Sequence, residues 1–236
     1  MNNSGNQLPL TFGQTETFFF DQFLNGANTE AVQKIRSIVE DESLKESIFI
    51  WGAKGVGKSH LLQALCKALA ETDQQSVYLP LSQKQKFTPL FLEGLEELPI
   101  ICLDDVDQIM GDLEWEKAIF HLYNRVKELD HILVMSANSA PKTIEFELAD
   151  LASRMNWGLI YQLQDLDDAE KLIVLQKRAD QKSFALPDDV GEFLIKRLPR
   201  DMHALCDFLD KLDHASLAAK RKLTVPFVKE LLNKGG

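Results

Sequence analysis

The chain has 236 residues, of which 45% are apolar, so it can bury one sizeable core or a core with a small second domain. Its formal net charge is −10, which argues against a protein that mainly coats nucleic acid, because phosphate neutralisation requires clustered Lys and Arg. No apolar run approaches the roughly 20 residues that span a bilayer. Cys66, Cys102 and Cys206 form neither a disulfide framework nor a metal pattern, which is typical of a reducing cytoplasm.

The N-terminal segment places apolar residues in a polar context. Gln7 is followed by Leu8, Leu10 and Phe12, with a proline between the two leucines. No basic residue precedes Lys34 and no apolar run forms an h-region, so the segment is not a signal peptide. It is either an edge strand of the core or a binding motif for a partner protein, and the segment alone does not distinguish the two.

Short apolar runs alternate with helical patterns as far as Asp165, and this alternation predicts βαβ units of a parallel sheet. Fully buried parallel strands have nearly continuous apolar sequences, as these runs do. The predicted strands are Ser47–Trp51, Val77–Leu81, Leu98–Leu103, Ile132–Ala137 and Leu159–Leu163, with predicted helices at Lys58–Glu71 and Trp115–Leu129.

After Asp165 the strand patterns stop, and only helical patterns follow. The predicted helices are Asp167–Lys182, Pro187–Arg197, Asp201–Lys220 and Val225–Asn233. The sequence therefore predicts an α/β core followed by a small all-helical domain.

The stretch GAKGVGKS matches the phosphate-binding pattern G-x-x-x-x-G-K-[ST] and lies between a predicted strand and a predicted helix, as the mechanism requires. Its glycines, Gly52, Gly55 and Gly57, let backbone N–H groups surround phosphates, and the helix N-terminus adds partial positive charge. We expect Lys58 to reach the β- and γ-phosphates and the Ser59 hydroxyl to bind Mg²⁺. A glycine-rich turn without chemistry is the alternative interpretation.

Two further strands end in polar residues. Asp104 and Asp105 end the buried stretch IICLDD, where parallel strands deliver their carboxyl ends to the ligand crevice. We predict that Asp104 holds Mg²⁺ through water and that Asp105 orients the attacking water. A helix N-cap is the alternative for Asp105 or Asp107. Asn138 ends ILVMSAN and is expected to point at the γ-phosphate, although it also fits an ordinary turn.

Together these motifs resemble the AAA+ family, which combines a P-loop, an acidic Walker B strand, a polar sensor and a helical lid. Three stretches narrow the resemblance to the bacterial replication initiator DnaA: FFFDQFLNGANTEAV resembles the opening of its nucleotide-binding domain, ADLASRMNWGLIYQL its arginine-finger segment, and LPRDMHALCDFLDKL its sensor-2 helix. The resemblance runs from about Thr17 to the end. It implies a flexible tail over 1–16, an AAA+ nucleotide-binding α/β core over 17–165 and a helical lid over 166–236.

The resemblance also implies roles for particular residues. Arg154 would be a finger presented to a neighbour's nucleotide, Arg200 would touch bound phosphate as sensor 2, and Asn138 would be sensor 1. His60 joins the P-loop residues that bind the cofactor, which is ADP or ATP with Mg²⁺. Asp105 stands where most AAA+ proteins have a glutamate, one methylene longer, so we expect weak intrinsic ATP hydrolysis at most.

The chain ends shortly after the lid, where an initiator continues into a helix-turn-helix domain that recognises the origin. A core of this kind preceded by QLPLTF resembles the DnaA-homologous regulators of replication initiation. In that group the tail binds the β sliding clamp of polymerase III, and the arginine finger triggers ATP hydrolysis by DnaA, leaving ADP-bound DnaA. Gln7, Leu10 and Phe12 match the clamp pattern Q-x-x-L-x-F, and we assign the clamp contacts to these three residues and to the neighbouring Leu8. This resemblance implies contact with DNA only through the clamp, no membrane, a cytoplasmic place at the replisome or nucleoid, and a possible homo-oligomer.

Two other classes of protein stay open as alternatives. A helicase-loader-type AAA+ ATPase also lacks an origin-reading domain, but it is expected to carry a helicase-binding extension instead of a clamp-type tail. A free-standing P-loop enzyme such as a nucleotide kinase needs an acceptor pocket lined by several arginines, which the helical C-terminal domain does not supply.

Overall fold

Parallel strands that end at a common edge form the sheet of the protein. The computed structural model describes residues 18–41, 43–219 and 222–234, so the clamp-binding residues expected at Gln7, Leu8, Leu10 and Phe12 lie outside the described residues. The strands are β1 (Ile48–Trp51), β2 (Ser76–Pro80), β3 (Ile100–Asp104), β4 (Ile132–Ala137) and β5 (Leu159–Gln162). Their order in the sheet is β2-β3-β4-β1-β5, and neighbouring strands are parallel. The predicted α/β fold with a five-stranded parallel sheet is confirmed.

The described residues form eight α-helices. They are α1 (Thr29–Glu40), α2 (Lys58–Glu71), α3 (Leu113–Glu128), α4 (Ala149–Met155), α5 (Asp168–Gln181), α6 (Asp188–Arg197), α7 (Met202–Ala219) and α8 (Val225–Lys234). None of the helices in this part of the chain has the length and apolar character needed to cross a bilayer.

The described residues divide into two units. The first contains Ala27–Ala53 and Lys58–Leu163 with the described residues up to Phe20, and the second contains Asp21–Gly26, Lys54–Gly57 and the described residues from Gln164 onward. The two ends of the P-loop therefore group with the sheet, while its tip groups with the helical unit.

The core of the first unit lies on the faces of the sheet. Phe49, Leu103 and Met135, from three neighbouring strands, share one cluster with Ile119 of α3 and Leu151 of α4. Burying each such side chain stabilises the fold by roughly 1.5–3 kcal/mol. Strands β3 and β4 are buried along their whole length, as the continuous apolar runs predict.

The prediction of full burial is wrong for β5. This strand lies at the edge of the sheet, where it alternates between half-buried and exposed positions, and Ile160 is 38% exposed. An edge strand packs and pairs on fewer sides than a central strand, so an apolar sequence alone does not distinguish the two.

Two helices were not predicted. In α1, Ala31, Val32, Ile35 and Ile38 are buried at helical spacing, which is a periodic signal that the sequence does contain. Helix α4 has only seven residues, and this is too short for a clear helical period.

A buried carboxylate fixes the start of α4. Glu116 of α3 has no exposed surface, and its two oxygens accept hydrogen bonds from the backbone N–H groups of Gly111 (2.9 Å) and Leu148 (2.7 Å). A buried charge is tolerable when such donors satisfy it. Glu116 therefore joins the loop before α3 to the residue that precedes α4.

The second unit is a helical bundle with its own apolar cluster. Leu175, Leu194, Leu205 and Val228, one from each of α5 to α8, are fully buried together. Asp167 caps α5 in a capping box: its side chain accepts from the Glu170 N–H, and the Glu170 carboxylate accepts from the Asp167 N–H. The predicted helical lid is thus observed as a packed domain.

Gly158 offers a test of the register between β1 and β5. Its φ is +87°, and a Cβ at this position would overlap the carbonyl oxygen of Ser47. We expect Gly158→Ala to lower the free energy of unfolding by more than about 2 kcal/mol, because steric overlap adds to left-handed strain. Urea denaturation followed by tryptophan fluorescence measures the loss.

Gly111→Ala is the matched control, because Gly111 also has a positive φ (+75°) but a Cβ there would meet nothing within 4 Å. It should cost only the strain, about 1–2 kcal/mol. Equal losses in the two variants would contradict the close approach of Gly158 to β1.

Candidate functional site

The candidate site lies at the carboxyl edge of the sheet. The register pairs Trp51 with Ala137 across β1 and β4, and Leu103 with Met135 across β3 and β4. The loops that leave these three strands therefore begin side by side, which is where ligands bind in open parallel sheets. The P-loop, the Asp104–Asp105 pair and Asn138 leave from this edge.

Lys58 is the first side chain of α2 and lies largely buried in the site. Its ammonium donates hydrogen bonds to the carbonyl oxygens of Gly52 (2.8 Å) and Ala53 (3.0 Å) and to Oδ1 of Asn138 (3.1 Å). Burial lowers the pKa of Lys58, and the charges of Asp105 and Asp104 oppose that shift. These acceptors and carboxylates offset the cost of burying the cation.

The tip of the P-loop depends on glycine. Gly55 (φ +88°) and Gly57 (φ +100°) adopt left-handed backbone, and a Cβ on Gly57 would lie 2.5 Å from the ring of Phe23. A Cβ on Gly55 would lie 2.6 Å from Cβ of Asp201, which directly follows Arg200. The spacing of the motif thus reflects the conformation that the loop requires.

Asp104 ends β3 and is 1% exposed. Its Oδ2 accepts a hydrogen bond from the Tyr78 hydroxyl of β2 at 2.6 Å, and its Oδ1 accepts from the Ser136 hydroxyl of β4. Burial and the charge of Asp104 raise the pKa of Tyr78 far above its usual range, so this hydroxyl stays protonated and donates. Hydroxyl groups from both neighbouring strands therefore hold the carboxylate.

Asp105 has a left-handed backbone with φ of +58°, which is uncommon for a residue with a side chain. Its N–H donates to the Ser136 hydroxyl oxygen at 3.0 Å. Burial, followed by the neighbouring charge of Asp104, raises the pKa of the Asp105 carboxyl. The Asp105 side chain makes no capping hydrogen bond to the short 3-10 turn Val106–Ile109, so the N-cap alternative does not describe it.

Asn138 connects Lys58 to a third carboxylate, Asp107. Its amide nitrogen donates to Asp107 Oδ2 at 2.9 Å, its backbone N–H approaches Asp107 Oδ1 at 3.3 Å, and its Oδ1 accepts from Lys58. Asn138 is thus held on both sides and does not stand in a loose turn.

Sequence reasoning missed three residues of this cluster: Tyr78, Ser136 and the role of Asp107. Tyr78 and Ser136 are polar side chains within otherwise apolar strands, and buried polar groups require partners. That exception to the apolar pattern was the available signal. The partner of Asp107 depends on which loops lie side by side, which the sequence does not state.

Ser59 and His60 follow Lys58 on α2. Gln63, on the same helix, donates from Nε2 to the Tyr78 hydroxyl at 3.4 Å, which connects the P-loop helix to the Asp104 group. His60 Nε2 lies 2.9 Å from the carbonyl oxygen of Phe19, and its ring packs edge-on against Phe18 at 5.0 Å between centroids. His60 therefore contacts the segment that precedes α1.

The oxygen ligands present suit Mg²⁺. Among the described residues, no group of three or more His, Cys, Asp or Glu side chains is arranged to hold a metal ion. Mg²⁺ in nucleotide sites takes one or two protein oxygens and completes its shell with waters and phosphates, so no such cage is required. The Ser59 hydroxyl and the Asp104 carboxylate are hard oxygen donors of the class it prefers.

Arg154 lies on α4, and aromatic rings hold its guanidinium. The guanidinium carbon lies 4.2 Å from the centroid of the Trp157 ring and 5.9 Å from that of Phe120. Trp157 is 46% exposed. Within the described part of the chain, the Arg154 side chain forms no ion pair, so its N–H donors are not committed to a carboxylate. Ring faces attract a cation without using those donors.

Arg200 belongs to the second unit and precedes α7. Its Nη2 lies 3.7 Å from Oδ2 of Asp168, and both side chains are more than half exposed. An exposed ion pair at this distance is worth less than about 1 kcal/mol. Arg200 is therefore weakly held.

Comparisons with known proteins place the fold and the lid. The family model for the bacterial DnaA ATPase domain matches residues 14–162, and the model for the Hda lid domain matches residues 168–232. Domain III of the Thermotoga maritima replication initiation protein DnaA is 20% identical, with 94% of this chain and 98% of that chain covered and a TM-score of 0.81.

Two other solved structures share the fold, with similar TM-scores. AMPPCP-bound DnaA from Aquifex aeolicus is 20% identical, with 85% of this chain and 66% of that chain covered and a TM-score of 0.71. The Thermotoga maritima RuvB Holliday junction branch migration motor is 12% identical, with 92% and 72% covered and a TM-score of 0.70. The DnaA ATPase match spans more than half of the sequence, and the chain therefore belongs to the bacterial DnaA ATPase-domain family, as an AAA+ protein with a lid of the Hda type.

Proposed function

We propose that this DnaA-related protein is a negative regulator of replication initiation that binds an adenine nucleotide, docks on the polymerase sliding clamp and stimulates ATP hydrolysis by DnaA through Arg154. The observation that carries the proposal is the state of Arg154, a half-buried guanidinium held by two aromatic rings and by no described carboxylate. The Hda-type lid supports the same assignment.

The nucleotide would bind at the P-loop. Lys58 holds its ammonium on backbone carbonyls and on Asn138, and phosphate oxygens, being charged, are stronger acceptors for the same donors. Two DnaA structures that share this fold hold AMPPCP, an ATP analogue, which supports an adenine nucleotide here. Ser59 and Asp104 would hold Mg²⁺, whose charge neutralises phosphate oxygens when it is bound.

Retention of ADP is the state we propose for the regulator when it acts. Asp105 is one methylene shorter than a glutamate and has a strained backbone, so we infer that it positions water poorly and that intrinsic hydrolysis is weak. Arg200 can exchange its weak contact with Asp168 for a phosphate oxygen at little cost.

Arg154 would act on the nucleotide of DnaA and not on its own. A finger stabilises charge on the transferring phosphate, and its contribution in trans reaches about 10³–10⁵ in rate. The aromatic rings limit the positions of the guanidinium before DnaA arrives, which reduces the entropy lost on docking. The clamp, bound by the residues at 7, 8, 10 and 12, would bring DNA close.

Lys58→Ala tests the nucleotide site. We expect ADP affinity, measured by calorimetry, to fall about 10- to 100-fold, which corresponds to about 1.5–3 kcal/mol for a charged hydrogen-bonding group. Lys54→Ala is the matched control, because Lys54 is an exposed lysine of the same loop and should leave the affinity near its original value. Unchanged binding by the Lys58 variant would contradict the P-loop assignment.

Arg154→Ala tests the regulatory reaction itself. DNA-loaded clamp, ATP-bound DnaA and the chain are mixed, and phosphate release is counted. We expect the stimulation to fall by at least about 100-fold, while ADP binding and clamp binding stay the same, because the guanidinium is assigned to the partner's nucleotide.

Arg36→Ala is the control for lost packing, because the Arg36 guanidinium also lies over an aromatic ring, that of Phe20 at 5.1 Å. It should stimulate DnaA normally. If the Arg154 variant stimulates normally too, the finger is another residue; if it melts well below the Arg36 variant, Arg154 is a structural arginine.

The N-terminal clamp-binding motif is tested by the double variant Leu10→Ala with Phe12→Ala, and separately by Gln7→Ala. Each apolar anchor is worth roughly 1.5–3 kcal/mol when fully buried, so the double variant should lose clamp binding and clamp-dependent stimulation. Thr11→Ala, at a variable position of the pattern, should keep both. ADP affinity and melting temperature should not change in any of these variants. A melting temperature several degrees lower would make this segment part of the core instead.

A further inference from the structure

The Asp104 carboxylate is held more tightly than a metal-facing group alone requires. Tyr78 of β2 donates to Oδ2 at 2.6 Å, and Ser136 of β4 donates to Oδ1. All three residues are buried, with Asp104 at 1% and Ser136 without exposed surface. An ionised carboxylate has about four lone-pair sites, so two hydroxyl donors fix its plane and leave acceptor capacity on each oxygen.

The Tyr78 hydroxyl reaches beyond Asp104. Gln63 Nε2 donates to this hydroxyl at 3.4 Å. Ser59 and Gln63 both belong to α2, the helix that the P-loop opens. One phenol therefore connects the Asp104 carboxylate to the helix that carries Ser59.

Ser136 makes a corresponding connection on the other side. Its hydroxyl donates to Asp104 and accepts from the N–H of Asp105. Both hydrogen-bonding functions of this hydroxyl are thus used by the acidic pair, including the residue with the left-handed backbone.

We propose that Tyr78 and Ser136 are positioning residues for Mg²⁺, which orient the Asp104 carboxylate from its two neighbouring strands and, through the contact of Tyr78 with Gln63, connect it to the P-loop helix α2. The inference rests on the proposed nucleotide site and goes beyond it, because neither residue belongs to the P-loop or to the acidic pair. Mg²⁺ demands near-ideal octahedral geometry, so the orientation of a contributing carboxylate affects its affinity. Removing a group that orients a metal ligand typically weakens metal affinity 10- to 100-fold.

The test measures Mg²⁺ dependence separately from nucleotide affinity. ADP is titrated into the full chain by calorimetry, in EDTA and over a range of MgCl₂ concentrations. For Tyr78→Phe we expect the Mg²⁺ concentration that gives half of the affinity gain to rise about tenfold or more. The affinity for ADP in EDTA should change much less, since the phenol has no assigned contact with the nucleotide.

Two further variants keep the test valid if a phenylalanine at position 78 disturbs folding. Ser136→Ala should raise the required Mg²⁺ concentration in the same way, and Ser136→Thr, which keeps the hydroxyl, should recover most of the loss. Tyr123→Phe is the control: Tyr123 of α3 is also a buried tyrosine, and among the described residues it makes no hydrogen bond to the acidic pair.

The proposal is overturned if Tyr78→Phe and Ser136→Ala keep the Mg²⁺ dependence of the unaltered chain. Equal losses in EDTA and in Mg²⁺ would also overturn it, because they indicate general damage to the pocket. Failure of the proposed function looks different: an unaltered chain that binds no ADP would remove the nucleotide site, and one that binds ADP equally in EDTA and Mg²⁺ would remove the metal site.

Discussion

The buried charge of Lys58 is the constraint that organises the carboxyl edge of the sheet. Lys58 is 5% exposed, and a buried ammonium is tolerated only where acceptors replace its water; here two loop carbonyls and Asn138 do so. Asn138 passes the constraint on, because its amide is also held by Asp107. Hydrogen bonds therefore connect Lys58 of the P-loop, through Asn138 after β4, to Asp107 after β3. The parallel register brings these strand ends close enough for the contacts to form.

The sequence predicted the parts of the site that depend on local conformation. The P-loop was predicted from its spacing of glycines, because Gly55 and Gly57 adopt a left-handed backbone that favours glycine. The acidic end of β3 was predicted because Asp104 and Asp105 directly follow a continuous apolar run. The partners of Asp104, Tyr78 and Ser136, were not predicted, because they come from strands whose adjacency follows from sheet order and not from local pattern.

The fold shows the same division: elements with a strong local pattern were predicted, and features that depend on neighbouring elements were not. Helix α2, which has a clear helical period, and β4, which is a nearly continuous apolar run, were predicted with the bounds that they have in the structure. The burial of β5 was not, because a strand becomes an edge strand through what fails to pair with it. Helix α4 escaped prediction because two turns carry too little periodicity, although this helix positions the arginine on which the proposed function depends. The partners of arginines also depend on tertiary contacts: Arg178 forms an ion pair with Asp210, whereas the guanidinium of Arg154 lies over an aromatic ring.

The two hydrogen bonds of Glu116 have a mechanical consequence for that arginine. A single carboxylate holds the backbone at Gly111 and at Leu148, so displacing either segment strips a fully buried charge of one of its donors. Such a loss costs about 1–3 kcal/mol or more, which is enough to make separate motion of the two segments rare. Glu116 therefore links the loop before α3, at Gly111, to Leu148, the residue that precedes α4. The position of α4, the helix that carries Arg154, therefore depends on an acidic side chain of α3 as well as on the contacts of α4 itself.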